Sequence, residues 1–291
     1  MRIIMQPISI VYEEPHFLVV NKPAALFSQA PVGIDSLQSR LASQLKHRDR
    51  HPGEPFVGLP HRLDRGTSGI MLIARNQRAL KRFGEQFQSR KVIKHYLAVV
   101  EANVARRSAV GNPDSEKSTT NVARRSAVGI PIIKRSADIL SEASEQRWED
   151  YLRKIPDQPR AEVVTHDTAG AKLAVANVQF LQATSGLCLL CVQLETGRMH
   201  QIRIQAASRG LPVVGDASYG ASLPWKTIDE ITNAEPNAHP PVALHAWSLE
   251  FRHPQTAKAL RFTAPVPTNW QQLPDEMLAC FPLQSITIGE H

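Results

Sequence analysis

The sequence predicts an α+β fold with a largely antiparallel or mixed sheet. Three observations predict it. Apolar runs of strand length recur along the chain, helical stripes are few, and strand and helix do not alternate in strict βαβ order. The 291 residues fit one large domain or two of about 150. A hydrophobic share of 42% against 21% charged residues excludes wholesale disorder. No apolar run approaches the ~18 residues needed to cross a bilayer. Residues 1–7 carry one positive charge and a short apolar stretch cut by Pro7, which does not make a signal peptide.

The elements follow in order. Residues 8–12 (Ile-Ser-Ile-Val-Tyr) and 17–20 (Phe-Leu-Val-Val) read as a hairpin, and Asn21-Lys-Pro23 ends its second strand. Residues 69–74 (Gly-Ile-Met-Leu-Ile-Ala) read as a buried strand. Asn76 is a plausible N-cap for a helix whose stripe is Leu80, Phe83 and Phe87, with Arg78, Lys81, Arg82 and Glu85 outside it. Residues 92–100 return to strand character, with Lys94, Tyr96 and Ala98 on the more polar face. Order resumes at 148–154 and 171–181, and 187–194 is a strand. Thr196-Gly197 is a turn, and 198–209 reads as a helix stopped by Gly210 at C′. Residues 242–251 and 260–264 read as a closing hairpin.

Residues 101–135 stand apart. Asn103-Val-Ala-Arg-Arg-Ser-Ala-Val-Gly111 recurs unchanged as residues 121–129, and two copies of nine residues are too few and too short for a solenoid. The segment lacks a clean period and reads as a disordered surface insertion. Three cysteines cannot build a disulfide framework, so a reducing cytoplasm is the expected compartment. Cys188 and Cys191 lie three apart on a predicted strand, so their thiols point to opposite faces and read as small buried hydrophobes rather than a metal or redox pair.

The net charge is +7, and its distribution says more than its total. Residues 62–94 carry +7, residues 101–135 carry +4, and the remainder is mildly acidic. A concentrated basic segment points to a polyanion, nucleic acid first, against the plainer reading of a solvated helix face.

Chemistry concentrates in His61-Arg-Leu-Asp-Arg-Gly-Thr-Ser-Gly69. Asp64 stands there among two arginines and a histidine, on a loop before a buried strand. Such loops carry catalytic groups, and the cations favour an ionised carboxylate, the form a nucleophile needs. A structural Asp–Arg turn is the plainer alternative. In Leu194-Glu-Thr-Gly-Arg-Met-His-Gln-Ile-Arg203, Arg198 falls in the first turn of the predicted helix, where a cation opposes the macrodipole. A partner carboxylate would compensate it, and the expected partner is Asp64. Tyr96, beside Lys94, could stack on a base or serve in proton transfer, or be an ordinary half-exposed strand tyrosine.

These stretches resemble the RluA family of pseudouridine synthases. His61 to Gly69 is similar to the family's H-R-L-D-x-x-T-S-G signature. Phe17-Leu-Val-Val-Asn-Lys-Pro23 resembles its N-terminal strand and Lys94-His-Tyr96 its second motif. Thr196-Gly-Arg-Met-His-Gln-Ile-Arg203, followed by Gly215-Asp-Ala-Ser-Tyr-Gly220, resembles its third. The motifs come in the family's order and span roughly residues 8 to 265. Ala25, Met199 and Gln205 stand where other residues are more usual.

The resemblance implies a single catalytic domain over residues 1–291 with a mixed, mostly antiparallel central sheet, interrupted by the 101–135 insertion. It implies Asp64 as nucleophile, Tyr96 against the flipped base and involved in deprotonating the sugar, and Arg198 as the arginine paired with the aspartate. Arg62 would help hold the extruded nucleotide, and Arg65, Lys94, His200 and Arg203 join it as candidate RNA-binding residues. The implied partner is ribosomal or transfer RNA, with neither DNA nor membrane, and a monomer is expected. No S4-type RNA-binding module is visible before the matched region. The chemistry is redox-neutral and transfers no phosphate, so no cofactor and no metal are expected, in keeping with the lack of Gly-rich phosphate loops and metal-spaced His/Cys sets. Two rivals stand beside this reading. One is a catalytically inactive RNA-binding module of the same fold. The other is a hydrolase, for which Glu195 or Asp216 would have to supply a second acid.

Overall fold

The computed structural model describes residues 7–50, 52–102, 145–225 and 240–281. The repeated segment 103–111 and 121–129 lies outside the described residues, as does nearly all of the expected 101–135 insertion. Its first residue does not belong to it. Glu101 ends a strand and is buried, accepting from the Ser222 and Leu223 amides at 2.6 and 2.7 Å.

The chain opens with the expected hairpin, β1 (Ser9–Glu13) against β2 (Phe17–Lys22). A helix that the sequence reading passed over follows, α1 (Leu37–Arg48). Its buried residues Leu37, Leu41 and Leu45 recur every four positions on one face, and Ser36 and Ser39 close a reciprocal capping box. Strand β3 (Ser68–Ala74) is buried along its whole length. Helix α2 (Gln77–Gln88) starts at Asn76, whose side chain accepts from the Ala79 amide at 2.8 Å, and packs Phe83 fully into the core. Strand β4 (Ile93–Glu101) has no polar face: Tyr96 to Glu101 are all buried. Its two edges are paired as well, with β9 on one side and β8 on the other.

The second half supplies β5 (Glu145–Lys154), β6 (Ala161–Val164), β7 (Lys172–Thr184) and β8 (Leu187–Leu194). Helix α3 (Gln201–Ser208) comes next, then β9 (Leu244–Arg252), β10 (Ala259–Thr263) and the one-turn α4 (Asp275–Leu278). The ten described strands make one sheet in the order β1-β2-β3-β9-β4-β8-β7-β5-β6, with β10 also on β9. Every pairing is antiparallel except β3 with β9. The mixed, mostly antiparallel sheet is therefore as expected. Cys188 and Cys191 are free, one buried and one half-buried on β8.

The lone parallel pairing is short and tight. Gly69 has φ +119°, and a Cβ there would land on the Ala246 backbone. Only glycine allows β3 to meet β9 at this point. The pairing brings the chain just after Asp64 to the centre of the sheet, one strand away from Tyr96 on β4. No described helix is long and apolar enough to cross a membrane.

Candidate active site

Asp64 sits on the loop before β3, and the backbone on both sides of it is tied down. Ser28 Oγ donates to the Leu63 carbonyl at 2.8 Å and accepts from the Leu63 amide at 3.0 Å. Lys22 is fully buried. Its ammonium donates to the carbonyls of Pro23, Leu26 and Arg65 at 2.9, 2.7 and 3.3 Å. The Val242 amide donates to the Gly66 carbonyl at 3.1 Å. Burial pulls the Lys22 pKa down to about 7, while the Asp64 carboxylate acts to raise it. Sequence reasoning missed both Ser28 and Lys22. A lysine closing an otherwise apolar strand was the available signal for the second, because a buried ammonium needs several acceptors.

The loop forms part of the wall of a cleft of about 1330 Å³ that Tyr96, Lys94 and the 194–203 segment also line. Asp64 keeps 31% of its side chain exposed there. Tyr96 is buried, and that burial, together with the nearby Asp64 charge, pushes its phenol well above the ordinary range, so it is protonated at neutral pH. His61 accepts from the Leu72 amide at 2.9 Å and stacks on Phe87, with its pKa driven down to about 3 by burial and by Lys94. It therefore works as a neutral strut rather than as a cation.

The expected Asp64–Arg198 pair does not form. The helix begins at Gln201, not at Arg198, so Arg198 precedes it in a turn. Its Nε donates to the Leu173 carbonyl at 2.9 Å and its amide to Gln201 Oε1 at 3.0 Å. The arginine facing Asp64 is Arg203, with Nη1 3.5 Å from Oδ2. Arg203 also grips Asp216 through Nε and Nη2 at 2.6 and 2.8 Å. His200 Nε2 lies 3.8 Å from the same Asp64 oxygen. The reason for the mismatch is helical phase. A start three residues later, behind the left-handed His200 (φ +52°), turns Arg203 rather than Arg198 toward the aspartate.

The other expected residues are at the cleft. Arg62 is exposed on its rim. Arg65 stacks 4.6 Å over Phe27 and donates to the Ala25 carbonyl at 3.1 Å. Lys94 lines the wall, and its burial lowers its pKa. Either acid that a hydrolase could use as its second is already engaged by an arginine. Asp216 is 1% exposed and held by Arg203, and Glu195 pairs with Arg147 and accepts from Asn177 at 3.1 Å. Among the described residues no three His, Cys, Asp or Glu side chains cluster so as to hold a metal ion.

A half-exposed carboxylate in a cleft edged by arginine and lysine, on a mixed sheet, points to a class: an enzyme that works on a polyanion through carboxylate chemistry. Comparison with known proteins narrows the class. The profile of the RNA pseudouridylate synthase family matches residues 16–208, and the chain belongs to that family, in its RluA branch. It is 33% identical over 270 residues to the ribosomal large subunit pseudouridine synthase D of Xylella fastidiosa, covering 92% of this chain and 68% of that protein. It is 28% identical to the tRNA pseudouridine synthase C of Haemophilus ducreyi, covering 91% of this chain and 94% of that one. Human RNA pseudouridylate synthase domain containing 4 shares the fold, with a TM-score of 0.59 at 20% identity over 89% of each chain. The activity is isomerisation of uridine in RNA to pseudouridine.

Proposed function

We propose that Asp64 is the nucleophile of this isomerisation and that the substrate is a uridine flipped out of structured RNA, ribosomal or transfer. The observation that carries the reading is the geometry around one carboxylate. Arg203 and His200 both make their closest approach to Asp64 at Oδ2, 3.5 and 3.8 Å away, and the carboxylate stays 31% exposed at the cleft. An Asp64 oxygen bonds to the sugar C1′, or assists its departure, as the N1–C1′ bond breaks and the electron pair leaves with uracil. The base turns, C5 bonds to C1′ and the carboxylate is released. C5 then gives its proton to solvent and N1 takes one up, so the product is an isomer of the substrate. Atoms and electrons balance with no oxidant or cofactor. The target cannot be reached inside a stack, so it must be extruded.

Tyr96, a protonated phenol in the cleft wall, is the group we place against the extruded sugar and base. To take a sugar proton it must hand on its own. Arg62, Arg65, Lys94 and Arg198 line the same cleft and would meet the RNA backbone and the nucleotide. Arg203 and His200 serve the aspartate rather than the RNA. We read the whole chain as one catalytic domain with 101–135 as an insertion, acting as a cytoplasmic monomer on RNA and not on DNA.

Asp64→Asn tests the assignment. It should abolish tritium release from RNA labelled at uracil C5 while leaving RNA affinity within about twofold, since the change is nearly isosteric. Turnover at the wild-type rate would remove Asp64 from the chemistry. Loss of RNA affinity together with turnover would make it a binding residue. An inactive RNA-binding module of the same fold would release no tritium even as wild type.

A further inference from the structure

We propose that Tyr219 is a positioning residue for this reaction: its hydroxyl fixes His200 as the Nε2–H tautomer, so that a ring N–H points at one oxygen of Asp64 and leaves the other free to attack. The inference rests on Asp64 as the nucleophile. Tyr219 ends a 3₁₀ turn (Ala217–Tyr219), and Gly220 after it has φ +91°. The Tyr219 ring is set by three neighbours. Arg203 lies 5.1 Å over it, Arg160 lies 5.4 Å over it, and His200 meets it edge-on at 5.7 Å.

The hydroxyl decides the tautomer by counting donors. The Ala161 amide at the start of β6 donates to Tyr219 Oη at 2.9 Å. An amide can only donate, so it occupies the lone-pair side of the phenol oxygen. The phenol's own proton needs an acceptor, and we assign it to the other partner, His200 Nδ1, also 2.9 Å away. Nδ1 therefore accepts, and the proton of the neutral ring sits on Nε2, which faces Asp64 Oδ2 at 3.8 Å. Such a contact tightens when substrate fills a cleft. The ring is kept neutral by burial and by the charges of Arg203 and Arg62, against the opposing pull of Asp64 and Asp216.

Arg203 makes its closest approach to the same oxygen, at 3.5 Å, so both cations sit on the Oδ2 side of the carboxylate. Oδ1 is then the atom that forms the bond to C1′ while the N1–C1′ pair leaves with the base. Tyr219 touches both donors, one through its hydroxyl and one through its ring face. Without the hydroxyl, Nδ1 loses its donor and the ring proton can move to Nδ1, which turns a lone pair rather than an N–H toward the carboxylate.

The test uses full-length protein labelled with ¹⁵N-histidine. Long-range proton–nitrogen NMR should show His200 protonated on Nε2 in the wild type and as a mixture of tautomers in Tyr219→Phe. That variant keeps the ring stack, so its KM for RNA should hold while kcat falls about tenfold, the worth of one well-placed hydrogen bond. His200→Gln keeps a donor at the ε position without needing the hydroxyl, so adding Tyr219→Phe to it should cost nothing further. A wild-type His200 protonated on Nδ1 overturns the proposal. So does an unchanged kcat in Tyr219→Phe, or a full further loss in the double variant. Should Tyr219→Phe fold poorly, the wild-type spectrum still decides. Failure of the Asp64 assignment would show separately, as tritium release by Asp64→Asn.

Discussion

Arg203 serves two carboxylates at once, and the two relations differ in kind. Its contact with Asp216 is bidentate, short and almost wholly buried, whereas its contact with half-exposed Asp64 is longer and through a single nitrogen. Removing Arg203 would leave Asp216 as an uncompensated buried charge, a loss of about 3–5 kcal/mol. Removing Arg198 deletes one hydrogen bond from its guanidinium to the Leu173 carbonyl, a loss of about 1 kcal/mol. Urea denaturation should therefore rank Arg203→Ala well below Arg198→Ala in stability, and equal losses would contradict the pairing. The sequence marked both arginines but could not choose between them. The choice depends on where a helix starts, and that start is set by Gln201. Its side chain caps the Arg198 amide, accepts from Thr196 at 2.8 Å and reaches back to the Val175 carbonyl at 3.1 Å. Such a cross-chain clamp has no local signature. The place of Asp64 at the cleft was legible because a lone acid in a basic loop just before a buried strand is where a rigid scaffold presents polar groups. Tyr219 was legible only as part of a motif, since its partners Ala161 and His200 come from distant segments.

At the scale of elements, α1 shows how a helix remote from the chemistry sets the nucleophile loop. Its first amides need acceptors, and they find them at the Phe27 carbonyl (from Leu37, 2.7 Å), the Ser28 carbonyl (from Gln38, 3.2 Å) and Ser36 Oγ (from Ser39, 3.2 Å). The helix N-terminus thus fixes Ser28, and Ser28 bonds to both backbone groups of Leu63, next to Asp64. Two substitutions should separate along this chain. Ser36→Ala removes a cap and should cost about 1 kcal/mol with kcat intact. Ser28→Ala orphans a buried amide and should cost about 1–3 kcal/mol while also lowering kcat, because Leu63 is released. Equal kcat values in a tritium-release assay would show that the loop does not depend on Ser28. Strands and caps such as β3, β8 and Asn76 were readable because apolar runs and a single asparagine report locally. Helix α1 was readable too, in its three leucines and flanking serines. The short β6 was not, since four residues carry too little pattern.

For the molecule as a whole, the basic segment 62–94 does not act as one patch. Arg62, Arg65, Arg90 and Lys94 line the cleft, while Arg75 pairs with Glu13 and Arg82 bonds to the Pro254 carbonyl. The cleft gains Arg160, Arg198 and Arg203 from later in the chain. Linear charge density therefore pointed to the partner class but only partly to the residues that line the cleft, because folding mixes segments that composition keeps apart. The fold also holds two histidines neutral, one on the cleft loop and one inside the sheet, and this shapes how the whole protein answers acid. His61 lines the cleft, with its pKa lowered to about 3 by burial and by Lys94. His245 accepts from Ser68 Oγ at 2.9 Å, lies 3.3 Å from the Ala264 carbonyl and has its pKa lowered to about 4. In both cases the unfolded chain binds the proton more readily than the fold does. Between pH 6.5 and about 4, each fall in pH therefore favours unfolding. At pH 5 the two together should cost about 4 kcal/mol, a large part of a ~5–15 kcal/mol stability. Carboxylates whose pKa the fold lowers, such as Glu13 beside Arg48, add their loss only at lower pH, as they begin to take up protons. The melting temperature should fall steadily from pH 7 to pH 5. His245→Gln, which keeps an amide donor near the Ala264 carbonyl but cannot titrate, should fall about half as far over the same range. A melting temperature flat from pH 7 to pH 5 would show that these rings carry protons in the fold, and the neutral core assigned to them would be wrong.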